Sequence, residues 1–480
     1  MAPARRLPGS DPLGIEAVFV TGALSPYTSL SPDLHTNPKL LPLLQRGARR
    51  ADCLLGEVLP RVTRFPEAPR DTLYPRCAGL DVHKDTVVVC VRCCDRPGKV
   101  FEEIRTFSTM TQDLLALADW LASHAVTQVA MESTGVYWKP VFNILEGSVG
   151  ILLVNAAHIK QVPGRKTDVK DCPWIAQLLQ HGLLKASFVP PEPIRAVRDL
   201  TRQRTQLLGE RAAAANRIQK VLEDANVQLA SVASDVLGAS GRDRLEALVA
   251  GETDPAKLAE LARRRLRAKI PELRRALQGR VTEHHRFLLR MHLDHVTHLE
   301  ELIGRLGVRI EEALAPFAQA QERLQTIPGV SQRVAETVLA EIGTKREQFP
   351  SADHLASWAG MCSGNNESAG KRRSGRTTKG NRWLKRILVQ AAWAASHSQG
   401  TYLQAPYRRL AKRRGKKRAL VAVGHTLLGI IYQMLKRGTT YQELGPNFLD
   451  RLEPERLTRQ LVKRLEALGH KVTLEPVPAA

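Results

Sequence analysis

The chain is 480 residues long with a formal net charge of +23 and an isoelectric point near 10.1, and a cationic surplus on that scale points to a polyanionic partner. No apolar run approaches the roughly 20 residues needed to span a bilayer, no secretory h-region opens the chain, and an odd count of seven cysteines argues against a disulfide framework. The expectation is a two- or three-domain protein of a reducing compartment, cytoplasmic and nucleoid-associated, with no membrane role.

Residues 1–74 are rich in proline and arginine and read as a disordered extension with short helical fragments near Leu40–Leu59. From 75 to 186 strands alternate with helices. Ala78-Gly79-Leu80-Asp81-Val82-His83, a polar turn at Lys84-Asp85, and Thr86–Val91 read as a β-hairpin with a carboxylate on its first, otherwise apolar, strand. A charge there is costly unless it is paired or coordinated. A third strand over Val100–Phe107 precedes an amphipathic helix over Thr111–His124, started by a Thr cap. A strand ending at Glu132, a helix over Val136–Leu145, the strand Gly150–Val154 and a helix from Asp168 to Leu184 follow.

Three antiparallel strands followed by β-α-β-α make an α/β domain of the ribonuclease H type. Its central strand ends and last helix would gather Asp81, Glu132, Asp168 and Asp171. Four facing carboxylates raise one another's pKa, and a divalent cation, Mg²⁺ or Mn²⁺, resolves the conflict. Cys90, Cys93 and Cys94 have a zinc-like spacing, but no second pair follows at finger distance. Lys160, Arg165 and Lys166 are placed to hold a nucleic-acid backbone. His83 and His158 read as structural histidines, and Tyr137 and Trp138 as either core or base-stacking residues.

From 187 to 319 the pattern is helical. Val197, Leu200, Leu207, Ala214, Ile218, Val221 and Ala225 form a heptad-like stripe into which Arg204 and Arg211 intrude, and Leu289, Val296, Leu299, Ile303, Leu306 and Ile310 form a second. Either an intramolecular hairpin or a coiled coil between copies satisfies both, and the second is favoured. Residues 320–445 open with Arg323–Ile342, a helix, a Pro-Gly turn and a helix that resemble a helix-hairpin-helix, in which Gly329 would face a phosphate.

Gly360–Arg386 is glycine-rich and basic at once. Its glycines would let backbone approach phosphates, and Lys371, Arg372, Arg373, Arg376, Lys379 and Arg382 would neutralise them. A hydroxyl among such cations could attack phosphorus, and Ser363, Ser368 and Ser374 are the candidates. A basic block over residues 408–418 begins a helix that continues as Ala419–Leu435, and 446–480 form a tail with a charged helix over Glu453–Leu468.

GLDVHKD, MESTGVYWKP, NAAHIKQVPGRKTDVKDCPWIAQLL, IPGV and ESAGKRRSGRTTKGNRWLK together resemble the DEDD insertion-sequence transposases, a family of bridge-RNA-guided serine recombinases. The resemblance implies an N-terminal RuvC-like domain, a central helical coiled coil and a mainly helical C-terminal transposase domain. It implies that Asp81, Glu132, Asp168 and Asp171 are the metal ligands and that Ser368, in an SxGK context, is the nucleophile. It also implies DNA and a guide RNA encoded by the element as partners, and a homo-oligomer, dimer or tetramer, whose two sites meet across subunits. Ala369 departs from the pattern, standing where glycine is frequent. Two other functions fit the residues: a RuvC-like junction nuclease using metal-activated water, and a catalytically silent nucleic-acid-binding regulator.

Overall fold

The computed structural model describes residues 72–96, 99–159, 171–344, 348–364, 366–452 and 454–475. Two compact units divide at Phe188 and Val189. The expected N-terminal extension and its helical fragments lie outside the described residues, except that Leu73 and Tyr74 already belong to the first unit. Both donate their N–H groups to the Gln180 carbonyl, at 2.9 and 3.2 Å.

The first unit is a five-stranded mixed sheet in the order β3-β2-β1-β4-β5, with β1 at Arg76–Val82, β2 at Thr86–Arg96, β3 at Lys99–Ser108, β4 at Gln128–Glu132 and β5 at Gly150–Val154. β2 pairs antiparallel with β1 and β3, while β4 lies parallel to β1 and β5. Helices α1 (Thr111–Ser123), α2 (Trp138–Leu145) and α3 (Asp171–Gln180) belong to the same unit, with a single helical turn at Ala156–Ile159 after β5. Sequence and structure differ at α1: Met110 is its N-cap and no side chain caps it, because β3 runs on to Ser108, whose Oγ accepts the Met110 N–H at 3.1 Å. Helix α2 begins two residues later than Val136, after a turn.

One face of the sheet packs on α3. Cys77, Ala130 and Val154 share a buried cluster with Ile175, Leu178 and Leu179, and Val88 and Cys90 pack with Cys172 and Ala176. Side chains alternate along a strand, so Cys77, Gly79 and Asp81 share this face, as do Ala130 and Glu132.

The second unit is built on two long helices, α4 (Glu192–Asp224, 33 residues) and α5 (Glu283–Leu314, 32 residues). They run antiparallel: Ala214, Ile218 and Leu222 of one share a core with Leu289, Leu293 and Val296 of the other. The stripe expected to join copies of the chain is therefore covered within one chain, and the heptads build an intramolecular hairpin. The intruding arginines are explained too. Arg204 donates to Glu336 at 2.5 Å, both side chains nearly buried, and Glu300 accepts from Arg211 at 2.8 Å and from Arg242 at 2.6 Å. Short helices between 229 and 276 close the far end of the hairpin around the same core.

Then follow α6 (Ala318–Gln325), α7 (Gln332–Ile342), α8 (Ala352–Trp358), a two-stranded hairpin of β6 (Asn366–Ser368) and β7 (Lys371–Ser374), α9 (Arg382–His397), α10 (Gln404–Arg414), α11 (Lys416–Arg437) and, near the C-terminus, α12 (Pro454–Ala467). The basic block does not begin one continuous helix: Gly415, at φ +84°, breaks it, so the block spans the end of α10 and the start of α11. By length and composition α11 could cross a bilayer, contrary to the reading of the sequence. Half of its apolar window is buried, with Val423, Leu427, Leu428 and Ile431 inside the fold, as in the core helix of a globular domain.

Candidate active site

Two of the acids, Asp81 and Glu132, are brought side by side by strand register. Leu80 pairs with Met131 across the parallel β1–β4 ladder, so Asp81 and Glu132 stand one residue further along, at adjacent strand ends and on the same face. Neighbouring strands lie about 4.8 Å apart, close enough for two carboxylates to share a cation. Helix α3 brings its first residue, Asp171, to that end. The fit is tight: a Cβ on Gly79 would lie 2.3 Å from the Cys172 carbonyl oxygen and 2.4 Å from the Ala176 nitrogen. Gly79 is thus what lets the start of α3 rest directly on β1, two residues from Asp81. Cys172 reports the outcome, since burial pushes its thiol up to about 11 and the nearby Asp81 and Asp171 charges add to the rise.

Overpacking a tight contact of this kind typically costs about 1–3 kcal/mol. Gly79→Ala is expected to lower stability by about that amount and to lift Asp171 away from the other two acids. Thermal unfolding beside a cleavage assay checks this, with activity falling further than the population of folded protein.

Asp81 is about a quarter exposed, and the His83 imidazole lies 3.2 Å from its Oδ2. Thr134 Oγ1 donates to Glu132 Oε1 at 3.2 Å. Asp168, Lys160, Arg165 and Lys166 lie outside the described residues, as does the His158 side chain. Among the described residues no three His, Cys, Asp or Glu side chains form a group able to hold an ion. The donor chemistry nevertheless suits a hard divalent cation: Asp81, Glu132 and Asp171 offer oxygens only. Of the aromatic candidates, Tyr137 is exposed, while Trp138 is half-buried edge-on against Phe142, with ring centroids 5.6 Å apart.

The second site lies on β6 and β7. Ser368 pairs with Lys371 across a two-residue turn in which Ala369 and Gly370 have φ +50° and +73°. Two successive left-handed residues are the geometry of a type I′ turn, which a glycine adopts freely and an alanine only with strain. Lys371, Arg373, Arg376, Lys379 and Arg382 are exposed around the hairpin; the Ser368 and Arg372 side chains lie outside the described set.

The glycines of this stretch have another purpose than phosphate approach at its base. A Cβ on Gly380 would lie 2.3 Å from the Gly360 nitrogen, so the two glycines meet backbone to backbone and close the loop. Lys385 adds a clamp, its Nζ donating to the Gly360 carbonyl at 2.8 Å and to Thr377 Oγ1 at 2.5 Å. Gly329 also has a packing reason. At φ +86° it faces α9, where a Cβ would meet the Ala391 oxygen at 2.5 Å and the Ala395 nitrogen at 2.6 Å.

Two residues missed in the sequence hold this loop in place. Asn381 caps α9, accepting from the Trp383 and Leu384 N–H groups at 3.0 Å, and its Nδ2 donates to Glu341 Oε2 at 2.6 Å. Glu341 is fully buried on α7 and also accepts two hydrogen bonds from Arg202 of α4, at 2.7 and 2.8 Å. The Asn-Arg-Trp sequence at 381–383 carried a cap signal, while an acid ending an apolar helix gave no sign of its burial.

Both regions of the chain match known proteins. Residues 78–227 match the DEDD transposase model of the IS110 type, and residues 321–408 match the one described as the IS116/IS110/IS902 transposase family. A transposase for insertion sequence element IS1111A from Coxiella burnetii is 25% identical over 398 residues, covering 80% of this chain and 95% of that protein. A probable family 20 transposase from Pseudomonas aeruginosa is 26% identical over 325 residues, covering 65% and 85%. The first match spans the acid-bearing sheet and α4, the second spans the Pro-Gly turn, the serine hairpin and α9, and the chain belongs to the IS110-type DEDD transposases, enzymes of DNA transposition.

Proposed function

We propose that the chain cuts and rejoins the ends of its insertion sequence with two cooperating sites, an acid cluster that holds Mg²⁺ or Mn²⁺ and the Ser368 hydroxyl. The observation that carries this reading is the placement of Asp81, Glu132 and the first residue of α3 at one end of the sheet. These three acids and Asp168 would hold the cation, which when bound neutralises phosphate charge and stabilises a leaving oxygen. The rest of the chemistry belongs to side chains. Ser368 attacks the scissile phosphorus, its Oγ–P bond forming as the bond to the 3′ oxygen breaks. Lys371, Arg372, Arg373 and Arg376 stabilise the charge on the equatorial oxygens. The phosphoserine is resolved when a strand-end hydroxyl attacks it and Ser368 leaves.

Lys160, Arg165, Lys166, Lys379, Arg382 and the N–H groups around Gly329 hold the strands by their phosphates. An RNA encoded by the element pairs with donor and target and chooses them. Copies of the chain associate so that one copy's serine meets another's acids. With the helical seam already filled, surface residues such as Phe287 and Met291, exposed one turn apart on α5, provide the contact.

Mixing variants tests the composite site. Ser368→Ala and Asp81→Asn proteins, each inactive alone on element-end DNA with Mg²⁺ and RNA, are expected to regain about a quarter of wild-type cleavage when combined in equal amounts as dimers, the fraction set by random assortment. Ser368→Ala that cuts at the wild-type rate contradicts the role of the serine and returns the chemistry to a metal-dependent nuclease.

A further inference from the structure

The face of α9 turned to solvent carries a pattern of which the two sites use only the first residue, Arg382. Arg382, Arg386, Gln390, Trp393 and His397 are all exposed. At 100° per residue they fall within an arc of about 80° along about 22 Å of helix, while Leu384, Leu388, Ala391, Ala392 and Ala395 are buried on the other side. No acidic residue stands anywhere on the helix.

Trp393 is 58% exposed, an unusual state for the largest apolar side chain. It is also held in place. The His397 ring lies 4.4 Å from the indole, centroid to centroid, and its Nδ1–H donates to the Trp393 carbonyl at 2.7 Å, which fixes the imidazole against the indole. A pre-positioned aromatic plane loses little rotamer freedom when a flat ligand arrives. At the other end Arg382 lies 4.7 Å over the Trp383 ring, whose second contact is Arg202 at 5.7 Å. The stripe begins eight residues after the last residue of the serine hairpin, Ser374, and one residue beyond the Asn381 cap.

From this geometry, and resting on the reading that Ser368 cuts a DNA strand, we infer that α9 is a track for the unpaired DNA leaving the serine hairpin. Arg382 and Arg386 take successive phosphates, Gln390 a sugar or base edge, and Trp393, backed by His397, stacks on an exposed base. The arginines suit an anionic strand, and the indole suits one whose bases are open. Duplex DNA offers the indole no base face. Guide RNA is the competing occupant, and the short chain link from the serine hairpin to α9 favours the strand being cut.

The test uses the full-length protein with element-end DNA opened at the junction, carrying 2-aminopurine in the unpaired strand. A parallel set places the probe in single-stranded RNA of the same sequence. The wild type is expected to quench the DNA probe. Trp393→Ala should restore its fluorescence and weaken binding of the opened DNA about tenfold, from the loss of one base–aromatic stack, with duplex affinity unchanged. Trp393→Phe should keep most of the quenching, and Arg386→Ala should reduce the salt dependence by about one contact, which Trp393→Ala should leave intact. Quenching that Trp393→Ala does not alter overturns the inference, as does quenching confined to the RNA probe. A change of oligomeric state on Trp393→Ala with binding intact also overturns it, by making the stripe a contact between copies. If the wild type instead neither binds nor cuts element-end DNA, the reading of the active site falls first.

Discussion

Asp81→Asn is expected to cut the strand-cleavage rate by about three orders of magnitude, the several kcal/mol that a cation site contributes to phosphoryl transfer, while leaving the fold as stable as the wild type. The two halves of this expectation come from one feature. Asp81 ends a strand whose other residues on that face, Cys77 and Gly79, are fully packed beneath α3. The amide is nearly isosteric with the acid, so packing survives, while the charge that would bind a cation is gone. Its His83 neighbour is exposed, so losing that contact costs little. Single-turnover cleavage beside thermal unfolding separates the two effects, and activity equal to wild type contradicts the placement of the site.

Glu341→Ala is the expected structural counterpart, with a loss of about 3–5 kcal/mol and a melting point lower by roughly 10 °C. Glu341 has no solvent exposure. Its carboxylate receives Arg202 twice and Asn381 once, lies 3.3 Å from Arg198 Nε, and its backbone carbonyl accepts from Arg198 Nη2 at 2.6 Å. Burial already drags the Arg198 guanidinium down to about 10, with the Glu341 charge opposing the fall. Removing the acid takes the carboxylate away from two guanidinium groups, one of them, Arg198, largely shielded from solvent. Glu341→Gln keeps an acceptor for Asn381 and should lose less. A loss under about 1 kcal/mol for Glu341→Ala contradicts the account, and a double-mutant cycle with Arg202→Met isolates the pair. The same variant should impair cleavage beyond its effect on folding, because Asn381 is the residue on which the serine loop ends.

The sheet was legible because its signals are local. Gly150–Val154 is an apolar run opened by a glycine and is found with those bounds, and the first hairpin announces itself by a polar turn between a largely apolar strand and a valine-rich one. The adjacency of Asp81 and Glu132 followed from topology, since β1 and β4 are parallel neighbours. What stayed hidden depends on contacts distant in sequence. Gly360 and Gly380 read as phosphate-approach glycines because nothing local reveals that they touch each other. Arg204 and Arg211 looked like faults in a stripe until Glu336 and Glu300 appeared opposite them. The stripe itself fits a contact within one chain or between two equally well, and only the return of α5 along α4 decides it. Trp393 was visible at helical spacing from Arg382 and Arg386, but an exposed tryptophan cannot be told from a core one by spacing alone.

The departure at Ala369 illustrates the boundary between the two. Its motif context showed that glycine is the usual residue, and the structure gives the reason, a left-handed φ of +50° at the tip of the serine hairpin.

The most direct measurement of the central claim is mass spectrometry of the protein–DNA adduct trapped during cleavage of element-end DNA in the presence of Mg²⁺ and the element's RNA. The account predicts a single peptide carrying a phosphodiester-linked nucleotide on Ser368, absent from Ser368→Ala and from Asp81→Asn alike. Efficient cleavage with no covalent adduct, or an adduct on Ser363 or Ser374, contradicts it.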